Sequence, residues 1–354
     1  MRIEEDKPLA PFTTFGIGGP ARFFVHATTE EEIAEAAGWA RDNAMPLFVL
    51  GGGSNLLVSD AGFRGLVLSI GLLGISIAED VRHRIYRVAA GENWDAFVER
   101  AVHENCAGIE CLAGIPGTAG GTPVQNVGAY GQEVASTIVN VRAFDLQKYK
   151  FIEFTAADCG FAYRRSRFNS AERGRYIVTR VDYSLEHGGA PTLRYADLQR
   201  AFSDGSTPAL AQVAEAVRAI RQSKGMLLVE GDPDCHSAGS FFKNPAVNPE
   251  QLKAITAASE DSPPLFPAGD EPEHAGKVKI PAAWLIEHAG FAKGFSAGAA
   301  AISSRHTLAL VNRDGATACD ILSLARQIRS AVESRFGVRL EMEPVLVGFD
   351  QPAL

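Results

Sequence analysis

The sequence predicts an α+β protein of two or three domains, and three observations carry that reading. Segment 29–43 has helical periodicity between two strand-like runs, 137–185 alternates as several strands, and 316–336 carries a long amphipathic helix pattern. At 354 residues, 46% hydrophobic and 21% charged, the chain has ordinary globular composition and enough length for sizeable cores. Its formal charge of -8 opposes nucleic acid or an anionic membrane surface as partner, so an anionic ligand has to be caught by local positive groups.

Arg22-Phe23-Phe24-Val25-His26-Ala27 reads as a strand. Thr29 with Glu32 then forms a capping-box signature ahead of Ile33, Ala36, Ala37 and Ala40, which recur at helical spacing. Pro46-Leu47-Phe48-Val49-Leu50 closes the strand-helix-strand unit and runs into Gly51-Gly52-Gly53-Ser54-Asn55. Leu56-Val58 and Gly65-Leu68 continue as strand, and the apolar stretch 65–78 is too short to span a bilayer and reads as buried strand. Trp94, Phe97, Val98, Ala101 and Val102 mark a helix within 92–105. Further helices are expected over 209–223, 281–288 and 316–336, the last ended by Gly337 at its C′ position. The piece 260–276 has no apolar period and reads as an exposed excursion. Residues 338–343 alternate, which predicts a strand with Arg339, Glu341 and Glu343 on one face.

Five scattered cysteines without a Cys-x-x-Cys pair point to reduced thiols. Cys235-His236 has no second pair at ligand spacing, so no metal site is expected. The acidic start, Met1 to Lys7, lacks an apolar signal region, and a cytoplasmic protein is expected.

The glycine run 51–53 suits either a tight turn or a loop whose backbone N–H groups approach a phosphate, with Ser54 and Asn55 adding side-chain donors. It is neither a Walker loop nor a good Rossmann fingerprint, because strand continues where a helix would begin. A second glycine-rich loop, Gly114-Ile115-Pro116-Gly117-Thr118-Ala119-Gly120-Gly121-Thr122, precedes Gln125-Asn126-Val127-Gly128, and two such loops suggest a long diphosphate ligand. Phe161-Ala162-Tyr163-Arg164-Arg165-Ser166-Arg167-Phe168 sets guanidinium groups beside aromatics and can serve a carboxylate or phosphate, or simply be a solvated charged loop. Gly239-Ser240-Phe241-Phe242-Lys243-Asn244-Pro245 crowds a hydroxyl, an ammonium and a carboxamide around two aromatics, with Phe241 or Phe242 available for burial. No His-Glu-x-x-His or Ser/His/Asp arrangement supports hydrolysis.

In this order, with Phe12 to Gly19, Asp60, the 308–312 strand and the terminal glutamates, these motifs resemble the UDP-N-acetylenolpyruvoylglucosamine reductases (the MurB family) over nearly the whole chain. The resemblance implies a two-lobed FAD-binding region of the PCMH, or vanillyl-alcohol-oxidase, type at about 17–188, followed by an α+β substrate-binding domain. It divides the chain into lobe 1 at 1–72, completed by 333–354, lobe 2 at 73–218, and a substrate domain at 219–332. It implies non-covalent FAD held by Gly51, Gly52, Gly53, Ser54, Asn55, Ile115, Pro116, Gly117, Thr118, Gly121, Thr122, Gln125, Asn126 and Gly128. NADPH is the implied hydride donor, and a UDP-sugar enolpyruvyl ether the implied substrate. Ser240 matches the family's proton donor, while Arg164 and Glu343 match the pair that polarises the substrate carboxyl group. Tyr195 matches a tyrosine that closes over the substrate; Lys224, Lys243, Asn244 and His306 match substrate contacts, and Phe266 stands where a tyrosine stacks on the uridine side. Two departures are visible: Glu341-Met342-Glu343-Pro344 replaces Glu-Pro-Glu-Val, and 225–236 replaces a short Leu-Pro-Asp-Pro stretch. The competing readings are an oxidase of the same flavin architecture and a non-catalytic nucleotide-sugar binder.

Overall fold

Local capping and alternation produce elements that sort into two units. One comprises Met1–Lys7, Ala21–Gly52 and Arg64–Gln222; the other comprises Pro8–Pro20, Gly53–Phe63 and the chain from Ser223 onward. The computed structural model describes residues 1–79, 82–203, 207–268 and 275–349.

The first unit begins with β1 (Glu4–Pro8), β2 (Pro20–Ala27), α1 (Glu30–Asp42) and β3 (Leu47–Leu50); β4 (Leu56–Val58) belongs to the second unit, and β5 (Phe63–Ile70) completes a sheet of order β1-β2-β5-β3. Thr29 caps α1 by accepting the Glu32 N–H at 3.2 Å, and Ile33, Ala36, Ala37 and Ala40 face the core. The Glu32 carboxylate reaches one residue further back than a capping box requires, accepting the Thr28 N–H at 2.8 Å.

The sequence expectation of one buried strand over 65–78 is corrected. β5 stops at Ile70, Leu73 is 73% exposed, and β6 (Ile75–Glu79) lies in a different sheet. Apolar run length cannot distinguish one buried strand from two strands joined by an exposed link.

That second sheet pairs β6 with β7 (His83–Ala89), followed by α2 (Trp94–His103), β8 (Cys106–Ala107), the two-residue ladder of β9 (Gly128–Ala129) and β10 (Gln132–Glu133), then β11 (Ile138–Asp145), β12 (Lys150–Thr155) and β13 (Tyr176–His187). The antiparallel order is β12-β11-β13-β7-β6, with β8 beside β13. Tyr86, Trp94, Phe97 and Tyr183 form a buried ring cluster with centroids 5.2 to 5.8 Å apart. Helices α3 (Ala196–Ala201) and α4 (Leu210–Ser223) follow.

The second unit contains β14 (Ser237–Ser240), β15 (Ala246–Val247), α5 (Pro249–Ala257), β16 (Phe266–Pro267), β17 (Val278–Lys279), α6 (Ala282–His288), β18 (Ser296–Ala297), β19 (Ala300–Ile302), β20 (Ala309–Asn312), α7 (Ala318–Phe336) and β21 (Val345–Val347). Its sheets are β14-β20-β19-β18, β15-β17-β16 and the parallel pair β21-β4. Helix α7 has the Thr317/Asp320 capping box, and the Asp60 carboxylate also accepts the Ala318 and Cys319 N–H groups at 2.8 and 3.1 Å. Gly337 ends α7 with φ 65°, the left-handed C′ conformation that glycine adopts without Cβ strain.

Two further expectations change here. The excursion 260–276 keeps Leu265 and Phe266 exposed, yet Phe266 and Pro267 pair with β17; residues 269–274 lie outside the described residues. The strand expected over 338–343 reduces to one Phe242–Met342 bridge, and the regular strand is β21, because Pro344 has no N–H to extend a ladder. Helix α5, missed in the sequence reading, carried its own signal in Asn248, Pro249 and Gln251, which form a capping box with Pro at the first helical position.

Candidate functional site

Within the first unit the two glycine-rich loops meet. A Cβ on Gly52 would sit 2.5 Å from Gly117 Cα, and one on Gly51 would lie 3.1 Å from Thr118 Oγ1. Backbone bonds pin the second loop: Trp94 N–H to Gly117 O at 3.1 Å, Ala119 N–H to Glu92 O at 2.9 Å, and Gly120 N–H to Ala90 O at 2.9 Å. The loop is therefore shaped by the β7–α2 junction. Exposed Gly121 faces open space, its missing Cβ having nothing nearer than 4.0 Å, while Ile115, Pro116, Gly117 and Thr118 are half-buried. The loop is thus held by backbone hydrogen bonds on one side and open at Gly121 on the other, a form in which main-chain N–H groups can approach a pyrophosphate.

Thr122 and Asn126 turn inward. The Thr122 hydroxyl lies 2.8 Å from Ala119 O and 2.6 Å from Tyr183 Oη, and Asn126 Nδ2 donates to Glu133 and to Ala162 O at 2.8 and 3.1 Å. Asn126 Oδ1 accepts the Ala135 N–H, so this carboxamide shapes the loop and what it offers a ligand is main chain. Gln125 and Gly128 are half-buried beside it, and Gly128 O accepts Arg164 Nη2 at 2.9 Å.

Arg164 has φ 54°, Asn126 φ 46° and Tyr130 φ 49°. A non-glycine side chain in this region costs of order 1 kcal/mol or more, so three such residues in one neighbourhood mark an over-determined local geometry. Around Arg164, Asn169 Nδ2 donates to the Arg164 carbonyl at 3.1 Å, and the Ser166/Asn169 capping box fixes the turn. Tyr195 is 42% exposed and meets the Tyr130 ring edge-on at 5.2 Å.

Within the second unit, Gly53 is required on two counts: its φ is 64° and a Cβ would lie 1.8 Å from Phe12 O. Thr14 N–H donates to Gly53 O at 3.2 Å, and Thr14 Oγ1 lies 3.5 Å from Ser54 O and 2.5 Å from Ser237 O. Asn55 Nδ2 donates to Glu343 O at 3.3 Å. A register shift between Ser237 and Ser240, with Gly239 at φ 73°, breaks the ladder just before Ser240. Such a bulge re-aims the side chain that follows. Half-buried Ser240 has no hydrogen-bond partner for its hydroxyl among the described residues.

Phe241 and Phe242 are both buried, whereas strand alternation would bury one. Their segment pairs antiparallel with the tail: Lys243 N–H donates to Glu341 O and Glu343 N–H to Phe241 O, each at 2.9 Å. Glu343 thereby stands opposite the residue next to Ser240, although the two are far apart in sequence. Lys243 Nζ reaches the Glu341 carboxylate at 3.5 Å, and Asn244 Oδ1 accepts the Ala282 N–H at 2.9 Å at the start of α6. His306 Nδ1 accepts the Leu308 N–H at 3.0 Å, which puts the ring proton on Nε2. Half-buried Lys224 follows α4, and Phe266 is 54% exposed.

The departing segment 225–236 is anchored by ions. Buried Asp234 accepts Ser304 Oγ at 2.5 Å and Arg313 Nη2 at 2.8 Å, and Arg305 pairs with Asp232. Burial pushes the Asp234 carboxyl up, but Ser304 and Arg313 outweigh it and hold it below the ordinary carboxylate range. Sequence reasoning missed these residues, and it missed Arg221. Arg221 had a visible signal, a cation continuing the stripe Leu210, Val213, Ala214, Val217 of α4. Among the described residues no group of three or more His, Cys, Asp or Glu could hold a metal ion, and no helix is long and apolar enough to cross a membrane.

The sequence matches the family described as UDP-N-acetylenolpyruvoylglucosamine reductase, C-terminal domain, over residues 232–347, and the FAD binding domain family over 21–148. A UDP-N-acetylenolpyruvoylglucosamine reductase from Thermobifida fusca is 46% identical over 96% of this chain and 97% of its own length. The reductase of Streptomyces coelicolor is also 46% identical, over 97% of this chain and 90% of that protein. The crystal structure of the Thermus caldophilus enzyme (MurB) superposes with TM-score 0.66 at 27% identity, covering 98% of this chain and 99% of that one. The α+β class with an FAD-binding region and a distinct C-terminal domain is thus borne out. The chain belongs to the UDP-N-acetylenolpyruvoylglucosamine reductase family, flavoprotein oxidoreductases of cell-wall peptidoglycan synthesis.

Proposed function

We propose that this protein reduces UDP-N-acetylglucosamine enolpyruvate to UDP-N-acetylmuramate in the cytoplasm, with NADPH as hydride donor and non-covalently bound FAD. Bound FAD supplies the relay that carries a hydride from NADPH to the β-carbon of the enolpyruvyl ether. Gly51, Gly52, Ile115, Pro116, Gly117, Thr118 and Gly121 line the flavin cradle. Thr122 and Asn126 hold its shape, and Gln125, Gly128, Gly53, Ser54 and Asn55 bind it as well. Lobes 1–72 with 333–354 and 73–218 form the FAD region, and 219–332 the substrate domain.

The observation that carries the reading is the pairing of the serine segment with the tail, which brings Glu343 beside a serine whose hydroxyl is uncommitted within the described residues. Hydride addition at the β-carbon drives electron density toward the α-carbon and the carboxylate. Ser240 Oγ–H breaks as the new C–H bond at the α-carbon forms, and the incipient alkoxide needs stabilisation because a hydroxyl is a weak acid. Arg164 and Glu343 polarise the carboxyl group. Tyr195 closes over the substrate, Lys224, Lys243, Asn244 and His306 contact its polar groups, and Phe266 stacks without a hydroxyl.

An anaerobic visible spectrum tests this. NADPH should bleach an oxidised-flavin band and the enolpyruvyl ether should restore it, whereas recovery with oxygen alone would favour an oxidase. Ser240→Ala should retain FAD and its bleaching by NADPH while carbon reduction falls by about 10²- to 10⁴-fold. Equal turnover by that variant would remove Ser240 from the mechanism.

A further inference from the structure

Arg221 lies on the last turn of α4 with 8% of its surface exposed, at a position where the helix otherwise buries apolar side chains. Charged groups are rarely so buried unless they organise their surroundings. Its Nε donates to Gly114 O at 3.1 Å, and its guanidinium also hydrogen-bonds the Tyr130 hydroxyl. Gly114, at φ 73°, opens the 114–121 loop, and its N–H is held by Asp95 Oδ1 at 2.6 Å. Asp95 is in turn clamped by Arg218 through bonds of 2.6 and 2.8 Å. Both backbone groups of the glycine that starts the loop are therefore fixed by charged side chains of α2 and α4. The other arm ends on Tyr130, whose ring meets Tyr195 edge-on at 5.2 Å.

We propose that Arg221 is a positioning residue coupling the flavin loop 114–121 to Tyr195, through Gly114 on one side and Tyr130 on the other. The proposal rests on the reading of that loop and of Tyr195 given above. One guanidinium serves both arms because its nitrogens diverge in a fixed plane; a lysine is a single point charge and cannot hold two acceptors in fixed relative directions. Ordering the loop around the cofactor thereby preorganises the ring that Tyr195 packs on, and each event lowers the ordering cost of the other.

The test separates the arms. Tyr130→Phe deletes one hydroxyl and leaves the Gly114 bond. It should raise KM for UDP-N-acetylglucosamine enolpyruvate by about tenfold, with the FAD dissociation constant and kcat within about twofold of wild type. Arg221→Lys should weaken FAD binding, read by flavin fluorescence titration, and raise KM, each by about tenfold, with the melting temperature of the apoprotein nearly unchanged. Adding Tyr130→Phe to Arg221→Lys should raise KM little further, since both changes cut the same arm. Unchanged FAD affinity in Arg221→Lys, unchanged KM in Tyr130→Phe, or fully additive KM effects in the double variant overturns the coupling. Should Arg221→Lys fail to fold, Tyr130→Phe still decides the Tyr195 arm, and Asp95→Asn, which weakens the hold on the same glycine, decides the flavin arm by FAD titration. Wild-type protein that binds FAD yet leaves the enolpyruvyl ether unreduced would refute the proposed activity instead, and FAD titration would still judge the Gly114 link.

Discussion

Replacing Gly52 by alanine tests the loop contact directly. The added Cβ would lie 2.5 Å from Gly117 Cα, 2.8 Å from its carbonyl carbon and 3.0 Å from Thr118 N. Carbon contacts settle near 3.5 to 4.0 Å, so the loops must part by about 1 Å. All three neighbours are backbone, and no rotamer change relieves them. Neither Gly52 nor Gly121 has a left-handed φ, so the difference between them is steric alone. Overpacking of this kind costs about 1 to 3 kcal/mol, or about 2 to 4 °C of melting temperature per kcal/mol in a unit of this size. If the displaced loop also loses its grip on the flavin, the same energy weakens FAD binding by about 5- to 150-fold. Gly121→Ala is the contrast: its Cβ enters open space, so apoprotein stability should stay within about 0.5 kcal/mol of wild type while FAD affinity falls. Differential scanning fluorimetry with and without FAD, together with flavin fluorescence titration, reads both quantities. A Gly52→Ala protein that melts and binds FAD like wild type refutes the contact argument, and a Gly121→Ala apoprotein as destabilised as Gly52→Ala refutes the open cradle.

Arg164→Ala and Glu343→Gln should each lower turnover with FAD content retained by absorbance; loss of fold in both would return these residues to a structural role. Asp60→Ala removes the carboxylate that accepts two N–H groups at the start of α7 and should cost about 1 to 2 kcal/mol in urea unfolding, with α7 still ended by Gly337. Asp145 is held at about 2, below its ordinary 3.8, first by its hydrogen bonds from Arg175, with Lys148 and Gln147 N–H groups adding. A folded pKa below the unfolded one means stability present above pH 4 and lost as pH falls toward 2, about 2 kcal/mol in all. Asp145→Asn should therefore be less stable than wild type by about that amount at pH 7, and the gap should close by pH 2; a constant gap across that range rules out the ion pair as its cause.

Helix α1, helix α7 and the glycine loops were legible in the chain because their causes are local: Thr29 and Thr317 cap, Gly337 terminates, and apolar residues recur at helical spacing. The serine segment stood out for the same reason, since Ser240, Lys243 and Asn244 cannot all be explained by burial. What alternation could not tell was where 338–343 pairs: one Phe242–Met342 bridge replaces a strand, because Pro344 and the packing of both phenylalanines decide it from outside the segment. Nor could the chain show that Thr122 and Asn126 spend their side chains on Tyr183, Glu133 and Ala162, or that Arg221 bridges Gly114 and Tyr130. Residue type and spacing determined which groups can do the chemistry. Which of them remain available for it was decided by long-range hydrogen bonds in the folded chain, because a donor already satisfied by distant backbone has little left to offer a ligand.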